Sequence, residues 1–483
     1  MIRHHFALYL VARASAAAGN LAAIAIFTRL AGPEIYGHYV VMFAAALVIS
    51  GFSAQWIRYA FFNNYRSDDD RDFFASFVTV LAISMAVTSA IAILAFALDG
   101  VGAVFAAGAL LIGLSTALFE VLTEVCRTRL EAGRAALSII LKAALVLAFG
   151  TIALVTDRSA LALALGIAVA HLIASIPAAI TLGRLLGGRP TWLHARKLLV
   201  FGWPLMLSFG IGSFAQGVDR FFLAGAEGAA VVGAYGALSD LVRASFVILA
   251  ESISMSALPL AKRLFSEHDR EGTDRTLAQA YCVLLVIGVF MLAAFIVFGP
   301  LILPFVFPAS FLHGSDSLLP VIALAAFLLV LRNVYLAQII YFTRASWMEL
   351  VSALILTLVN LGFCALLIPH YGALGAALAF LAGQVAAGAF FLFAGPRDFR
   401  MPTPLRPTMG VLGVGAALLL ACHGLRLADL GFATTLGLEF LLFVAAFAAT
   451  VRAFGLRFSM LRAAIGAALS RIGGAGRQAR PGA

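Results

Sequence analysis

Apolar runs long enough to cross a bilayer follow one another along almost the whole chain, joined by short loops, and the basic residues fall in every second loop. A membrane-spanning helix needs about 20 mostly apolar residues. Fourteen segments meet that requirement: 9–30, 39–62, 73–98, 101–125, 135–156, 160–186, 198–223, 231–258, 277–298, 318–341, 347–368, 373–393, 405–424 and 432–454. They stay apolar all round, which suits lipid rather than a core with one wet face. Hydrophobic residues make up 63% of 483, and the mean hydropathy is +1.03. The length and continuity of the runs predict helices, not the short alternating strands of a barrel. No linker is long enough for a soluble domain, so whatever this chain does, it does in or across a membrane.

Loop charges set the expected orientation. With the N-terminus inside, the inner loops hold Arg66 and Arg71; Arg127, Arg129 and Arg134; Arg184, Arg189, Arg196 and Lys197; Lys262, Arg263, Arg270 and Arg275; Arg344; and Arg397, Arg400 and Arg406. The opposite loops hold Arg29, Arg158 and Arg426. That asymmetry satisfies the positive-inside rule and predicts that both termini are cytoplasmic. It also accounts for most of the net charge of +10, which removes the reason to look for nucleic acid.

Several chemistries find no support. Cys126, Cys282, Cys364 and Cys422 are scattered without a CxxC pair, and no HExxH occurs among the nine histidines. None of the three lysines, Lys142, Lys197 and Lys262, stands in a phosphate-binding GxxxxGK[ST] loop. Asp68-Asp69-Asp70 reads as a solvated loop, since no α/β domain surrounds it. No catalytic constellation is found, so an enzyme is not expected. The first twenty residues imitate a signal peptide, but Arg13 interrupts the apolar stretch and apolar character continues to Phe27, which fits a retained first span.

The chain looks duplicated. Gly37-His-Tyr39 recurs as Gly233-Ala-Tyr235 where one span ends and the next begins, and Asn20 aligns with Gln216 at the same offset. Internal repeats of this kind build the two halves of many transporters. Pro177 and Pro204 sit deepest within spans and are the hinge candidates. Beyond residue 454, Phe458, Leu461, Ile465, Leu469 and Ile472 fall at helical spacing among arginines, predicting an amphipathic helix on the inner membrane face and then a basic tail.

The spans also contain charges. Ionisable groups inside a bilayer are costly, about 2.5–3.5 kcal/mol each on insertion scales, and usually face a cavity or another helix. Arg13 and Asn20 share a face of the first span. Arg58 is in the second, Glu120 and Glu124 are in the fourth, Lys142 is in the fifth and His171 in the sixth. Asp219 and Arg220 follow in the seventh. Ser239, Asp240, Arg243, Glu251 and Ser254 form a stripe on the eighth. Arg332, Asn333 and Gln338 mark the tenth, Glu349 and Asn360 the eleventh, and Gln384 the twelfth. The cations Arg13, Arg58, Lys142, Arg220, Arg243 and Arg332 at least match the acids. The set predicts a hydrated cationic cavity, which suits an anionic cargo because guanidinium forks fit phosphate oxygens in pairs.

Four stretches carry a family resemblance. Thr28-Arg-Leu-Ala-Gly-Pro-Glu-Ile-Tyr-Gly-His-Tyr39 resembles the "rLLGpeeYGlY" signature of polysaccharide transporters in the multidrug/oligosaccharidyl-lipid/polysaccharide (MOP) exporter superfamily. Residues 204–235, with Asp219-Arg220, resemble that family's seventh span, and 258–264 the end of its eighth. Asn360 through Leu367-Ile-Pro-His-Tyr-Gly372 to Ala377 resembles its "NlxLNxxLIPxyGixGAA" motif. The resemblance covers roughly 8–395. It implies an all-α, MATE-like fold: two six-helix lobes in a V, 1–190 and 191–396, with two further spans in 397–455 and a tail at 456–483.

The same resemblance implies the function. The polysaccharide branch moves undecaprenyl-diphosphate-linked oligosaccharide across the bacterial inner membrane for O-antigen, capsule or exopolysaccharide assembly. The related lipid II flippases use cavity arginines in spans one, two and eight, where this chain has Arg13, Arg58 and Arg243. Asn20, Lys142 and Arg332 complete the expected substrate set. Asp219, Glu120, Glu124, Asp240 and Glu251 are the expected carriers for a coupling ion, Na+ or H+, with no other cofactor. The expected partners are the lipid-linked glycan and membrane lipid, with a polysaccharide polymerase and a chain-length regulator. The rivals are a multidrug antiporter or a lipid II flippase on the same fold, then a membrane polymerase or ligase, which the short outer loops disfavour.

Overall fold

The computed structural model describes residues 2–65, 71–129, 131–183, 187–343, 347–394, 399–428 and 430–454. The amphipathic tail expected at 456–483 lies outside the described residues. The described chain forms fourteen α-helices: α1 (Ile2–Ser50), α2 (Trp56–Asn64), α3 (Arg71–Leu98), α4 (Ala103–Thr128), α5 (Ala132–Thr156), α6 (Ala160–Gly183), α7 (Trp192–Ala215), α8 (Val218–Glu227), α9 (Ala229–Ser266), α10 (Arg270–Val306), α11 (Ser315–Val330), α12 (Trp347–Phe393), α13 (Leu405–Leu427) and α14 (Phe432–Ala453). No strand occurs among the described residues.

Twelve helical runs among the described residues are long and apolar enough to cross a membrane. Two of them are double length. Ser15–Asn64 has 50 residues and Trp347–Phe393 has 47, each about 70 Å of helix against about 30 Å of hydrocarbon. Each bends where the backbone leaves the helical region, at Gly32 (φ 72°, ψ 170°) and Gly372 (φ 53°, ψ −127°). Divided there, the runs account for the fourteen segments read from the sequence. By contrast, α6 and α7 pass through Pro177 and Pro204 as continuous helices.

The sequence duplication has a structural counterpart. Gly228 (φ 84°, ψ 174°) repeats the Gly32 conformation at the same offset that relates the two Gly-x-Tyr motifs. That region of backbone space is essentially closed to residues with a Cβ. Five residues further on, the matched glycines meet. A Cβ on Gly37 would stand 1.8 Å from the Ala229 carbonyl oxygen, and one on Gly233 2.0 Å from that of Pro33. The second half of α1 and the start of α9 therefore cross backbone to backbone, as small residues allow in membranes.

Two π-helical turns interrupt the regular pattern, Gly51–Gln55 between α1 and α2 and Leu331–Tyr335 after α11. Within lipid a freed backbone group must find an internal partner. At the first turn the Ser84 hydroxyl donates to the Ser53 carbonyl at 2.7 Å, and the Trp56 indole N–H to the Phe52 carbonyl at 3.0 Å.

The chain divides into two compact units. The first comprises Met1–Leu241, Val306–His313 and Glu349–Gly383; the second comprises Val242–Phe305, Gly314–Met348 and Gln384–Ala483. Within the first, Trp56, Ile57, Phe61, Phe73 and Phe77 form one apolar core with Leu198 of α7. Within the second, α13 is tied to α14 by Arg426, whose guanidinium meets Glu439 at 2.7 Å and the Val297 carbonyl at 2.6 Å.

Candidate functional site

Two polar clusters lie within the first unit. The first is built on one face of α4, where Ser115, Thr116, Phe119 and Glu120 share a helical stripe. Arg58 of α2 reaches Glu120 at 2.7 Å. Lys142 of α5 stands 4.9 Å over the Phe119 ring and within electrostatic reach of Glu120. His171 of α6 stacks on Phe119, and its Nδ1 lies 3.3 Å from the Ser115 hydroxyl and 3.2 Å from that of Thr116. Glu124, one turn further along α4, pairs instead with Arg127 at 3.0 Å. The two glutamates grouped by sequence thus have different neighbours.

The second cluster sits at a broken helix. α7 stops at Ala215, Gln216 and Gly217 form a turn, and α8 resumes at Val218. The side-chain amide of Asn360 donates to the freed Ala215 carbonyl at 2.9 Å. Asp219, fully buried in the first turn of α8, accepts the Arg220 backbone N–H at 3.1 Å and the Tyr235 hydroxyl at 2.6 Å. The positive end of the helix dipole favours a carboxylate there. The Arg220 guanidinium pairs with Asp240 of α9. Tyr36 and Tyr39 of α1 lie within electrostatic reach of that pair. Half-helix ends with buried polar groups are how transporters frame ion and substrate sites inside the bilayer.

In the second unit, Arg332 lies in the π turn after α11, buried, and donates from Nε to the Gln384 side-chain oxygen at 3.0 Å. In the same unit the Gln338 side-chain amide donates to the Ser254 hydroxyl.

The remaining expected site residues fall as follows. Asn20 is exposed on α1. The side chain of Arg13 lies outside the described residues. Arg243 and Glu251 are half-buried on α9 and belong to the second unit, whereas Asp240 belongs to the first. The structure brings together Arg58, Glu120 and Lys142, and separately Asp219 and Asp240 around Arg220. Among the described residues, no group of three His, Cys, Asp or Glu converges as a metal site.

Sequence reasoning missed the hydroxyls of Ser115 and Thr116, the bond from Tyr235 to Asp219, and the Gln384 partner of Arg332. It also missed Glu439, 3% exposed in α14. A signal existed for Tyr235, which closes the repeated Gly-x-Tyr motif. None existed for the hydroxyls.

No protein-family model matches the sequence, and no curated protein matches it. Solved structures do. A structure titled "Lipid II flippase MurJ, inward closed conformation" matches with a TM-score of 0.69 at 13% identity, covering 91% of this chain and 97% of that one. An outward-facing multidrug resistance MATE family transporter of the MOP superfamily matches with a TM-score of 0.53 at 16% identity, covering 85% and 95%. A MOP superfamily transporter from Pyrococcus furiosus gives the same four values. The chain is a multi-pass membrane protein with the all-helical fold of the MOP-superfamily transporters.

Proposed function

We propose that this chain is a flippase for a polyprenyl-diphosphate-linked oligosaccharide, working by alternating access in the bacterial inner membrane with both termini in the cytoplasm. One observation carries the reading: in a MOP fold, two cationic side chains, Arg58 and Lys142, stand against a single carboxylate, Glu120, within the apolar spans. A diphosphate would satisfy the unmatched cation. Arg13, Asn20, Arg243 and Arg332 complete the set that receives the headgroup and sugars as the two lobes, 1–190 and 191–396, rock. Asp219 and Asp240 carry the coupling cation. The glycan serves O-antigen, capsule or exopolysaccharide assembly, alongside a polymerase and a chain-length regulator.

A multidrug antiporter is the second reading, favoured by the MATE-type fold and by the acid-rich Asp219–Asp240 cluster. Surface polysaccharide measured in a host lacking its own copy, at matched protein level, separates the two. The proposed function predicts that Arg13→Ala, Arg58→Ala and Arg243→Ala each reduce export while drug susceptibility stays constant. Full export by all three variants, or restored efflux of cationic dyes by the unaltered chain, would overturn it.

A further inference from the structure

Along the first unit, a groove of about 980 Å³ runs between α3 and α7, floored by the end of α1 and the π turn that follows it. Its walls are almost wholly apolar. On α3 they extend from Ser76 to Phe96, and on α7 from Trp192 to Phe214. At 1.5 Å per residue either wall is about 30 Å long, the full hydrocarbon thickness of a bilayer. An acyl chain of a phospholipid is confined to its own leaflet, about half that distance. A single occupant of the whole groove must be a chain that continues past the midplane.

The two ends differ. At one, α3 and α7 are pinned together: the Thr191 N–H donates to the Ser76 hydroxyl at 2.9 Å, and the Arg189 N–H to the Asp72 carboxylate at 2.7 Å. This is the end that the loop charges place in the cytoplasm. Trp192, Ala195 and Leu199 line the groove there, and Arg196 falls on the same helical face, at i+4 from Trp192. Its side chain is exposed, as is that of Arg189. The exposed Trp192 indole suits the interface depth. The other end, at Phe96, Phe214 and Phe221, is apolar.

A long apolar slot with a cation at one mouth matches a lipid with a long apolar tail and an anionic head. We propose that this groove holds the polyprenyl chain of the transported lipid, with Arg196 at its basic mouth meeting the phosphate. The proposal deepens the flippase reading and rests on it. A seated tail keeps the headgroup close to the cationic side chains, which raises its effective concentration there without any further contact.

The test uses the full chain in vesicles of phosphatidylethanolamine and phosphatidylglycerol containing undecaprenyl phosphate, with the lipid retained after extraction read by native mass spectrometry. Val87→Trp fills the middle of the groove. Ile93→Trp places the same bulk on a part of α3 that does not line it, and both positions are 52% exposed. Unaltered protein and Ile93→Trp should retain undecaprenyl phosphate in preference to phosphatidylglycerol. Retention should fall about tenfold in Val87→Trp, equal to about 1.4 kcal/mol, and about fivefold in Arg196→Gln. Equal retention by Val87→Trp and Ile93→Trp would overturn the proposal. So would loss of phosphatidylglycerol in step with undecaprenyl phosphate, which would make the groove an ordinary lipid site. Loss of retention in Val87→Trp by a chain that moves no lipid-linked glycan would leave the groove standing and defeat the flippase reading instead.

Discussion

In the cluster on α4, Arg58 and Lys142 face one carboxylate, Glu120; at the start of α8, one guanidinium, Arg220, is set against two, Asp219 and Asp240. The first cluster is formally cationic and the second anionic. They also differ in access. The Arg58 and Glu120 side chains are 19% and 36% exposed; those of Arg220 and Asp240 are 4% and 30%, and Asp219 is fully buried. An ion pair with both members part-exposed exchanges its partner more readily than one whose cation is buried. The buried Arg220 guanidinium is held more firmly, because removing it strands the carboxylates it faces at a cost of about 3–5 kcal/mol. The comparison teaches a division of labour by charge: the cationic cluster is suited to trading Glu120 for a diphosphate, and the anionic one, with Asp219 buried and Asp240 30% exposed, to holding helix ends in place and attracting a cation.

The largest test of that contrast is Arg220→Ala. It leaves two carboxylates without their counter-ion and should destabilise the protein by about 3–5 kcal/mol, seen as a lower unfolding midpoint in detergent. Adding Asp240→Ala should restore part of the loss. An unchanged midpoint would show that the cluster is wetter than its burial indicates. Next comes Tyr235→Phe, which removes a hydrogen bond to a buried carboxylate and should cost about 1.5–3 kcal/mol. It should weaken the dependence of transport on the ion gradient. Smallest in stability is Glu120→Gln, at about 1 kcal/mol or less. Its effect belongs to binding: Arg58 and Lys142 lose their competitor, so affinity for a soluble diphosphate should rise, measured by calorimetry. A fall in affinity would reverse the roles given to this cluster.

Much of the fold could be read from the residues alone because the bilayer imposes a length rule. Runs of about 20 apolar residues announce spans whatever they pack against. The Gly-x-Tyr repeat was legible too, and its cause is the crossing at Gly37 and Gly233, where only a hydrogen fits between backbones. The helix breaks were less legible. Residues 31–38 read as a loop, yet helix resumes at once beyond Gly32, with Pro33 in its tolerated first-turn position. The π turns have no sequence signature.

Partners were the hardest part. Arg58 and Glu120 are 62 residues apart, and Arg332 and Gln384 are 52 apart. In an all-apolar helix no stripe shows which face is inward. Counting signs along the chain placed Arg220 with the cations, while its contacts place it among acids. Glu439, a single carboxylate two turns into α14, escaped notice. Its burial against Arg426 fixes the two C-terminal helices.

The account stands or falls on whether the cationic cluster of Arg58 and Lys142, in a MOP-type fold, moves a polyprenyl-diphosphate glycan. The most direct measurement is translocation of a fluorescent undecaprenyl-diphosphate oligosaccharide in proteoliposomes, read by a quencher confined to one side. Unaltered chain should transfer the label between leaflets well above empty vesicles, and Arg58→Ala should fall to near background while remaining folded. Transfer no faster than in empty vesicles, or an Arg58→Ala variant as fast as the unaltered chain, would contradict the account.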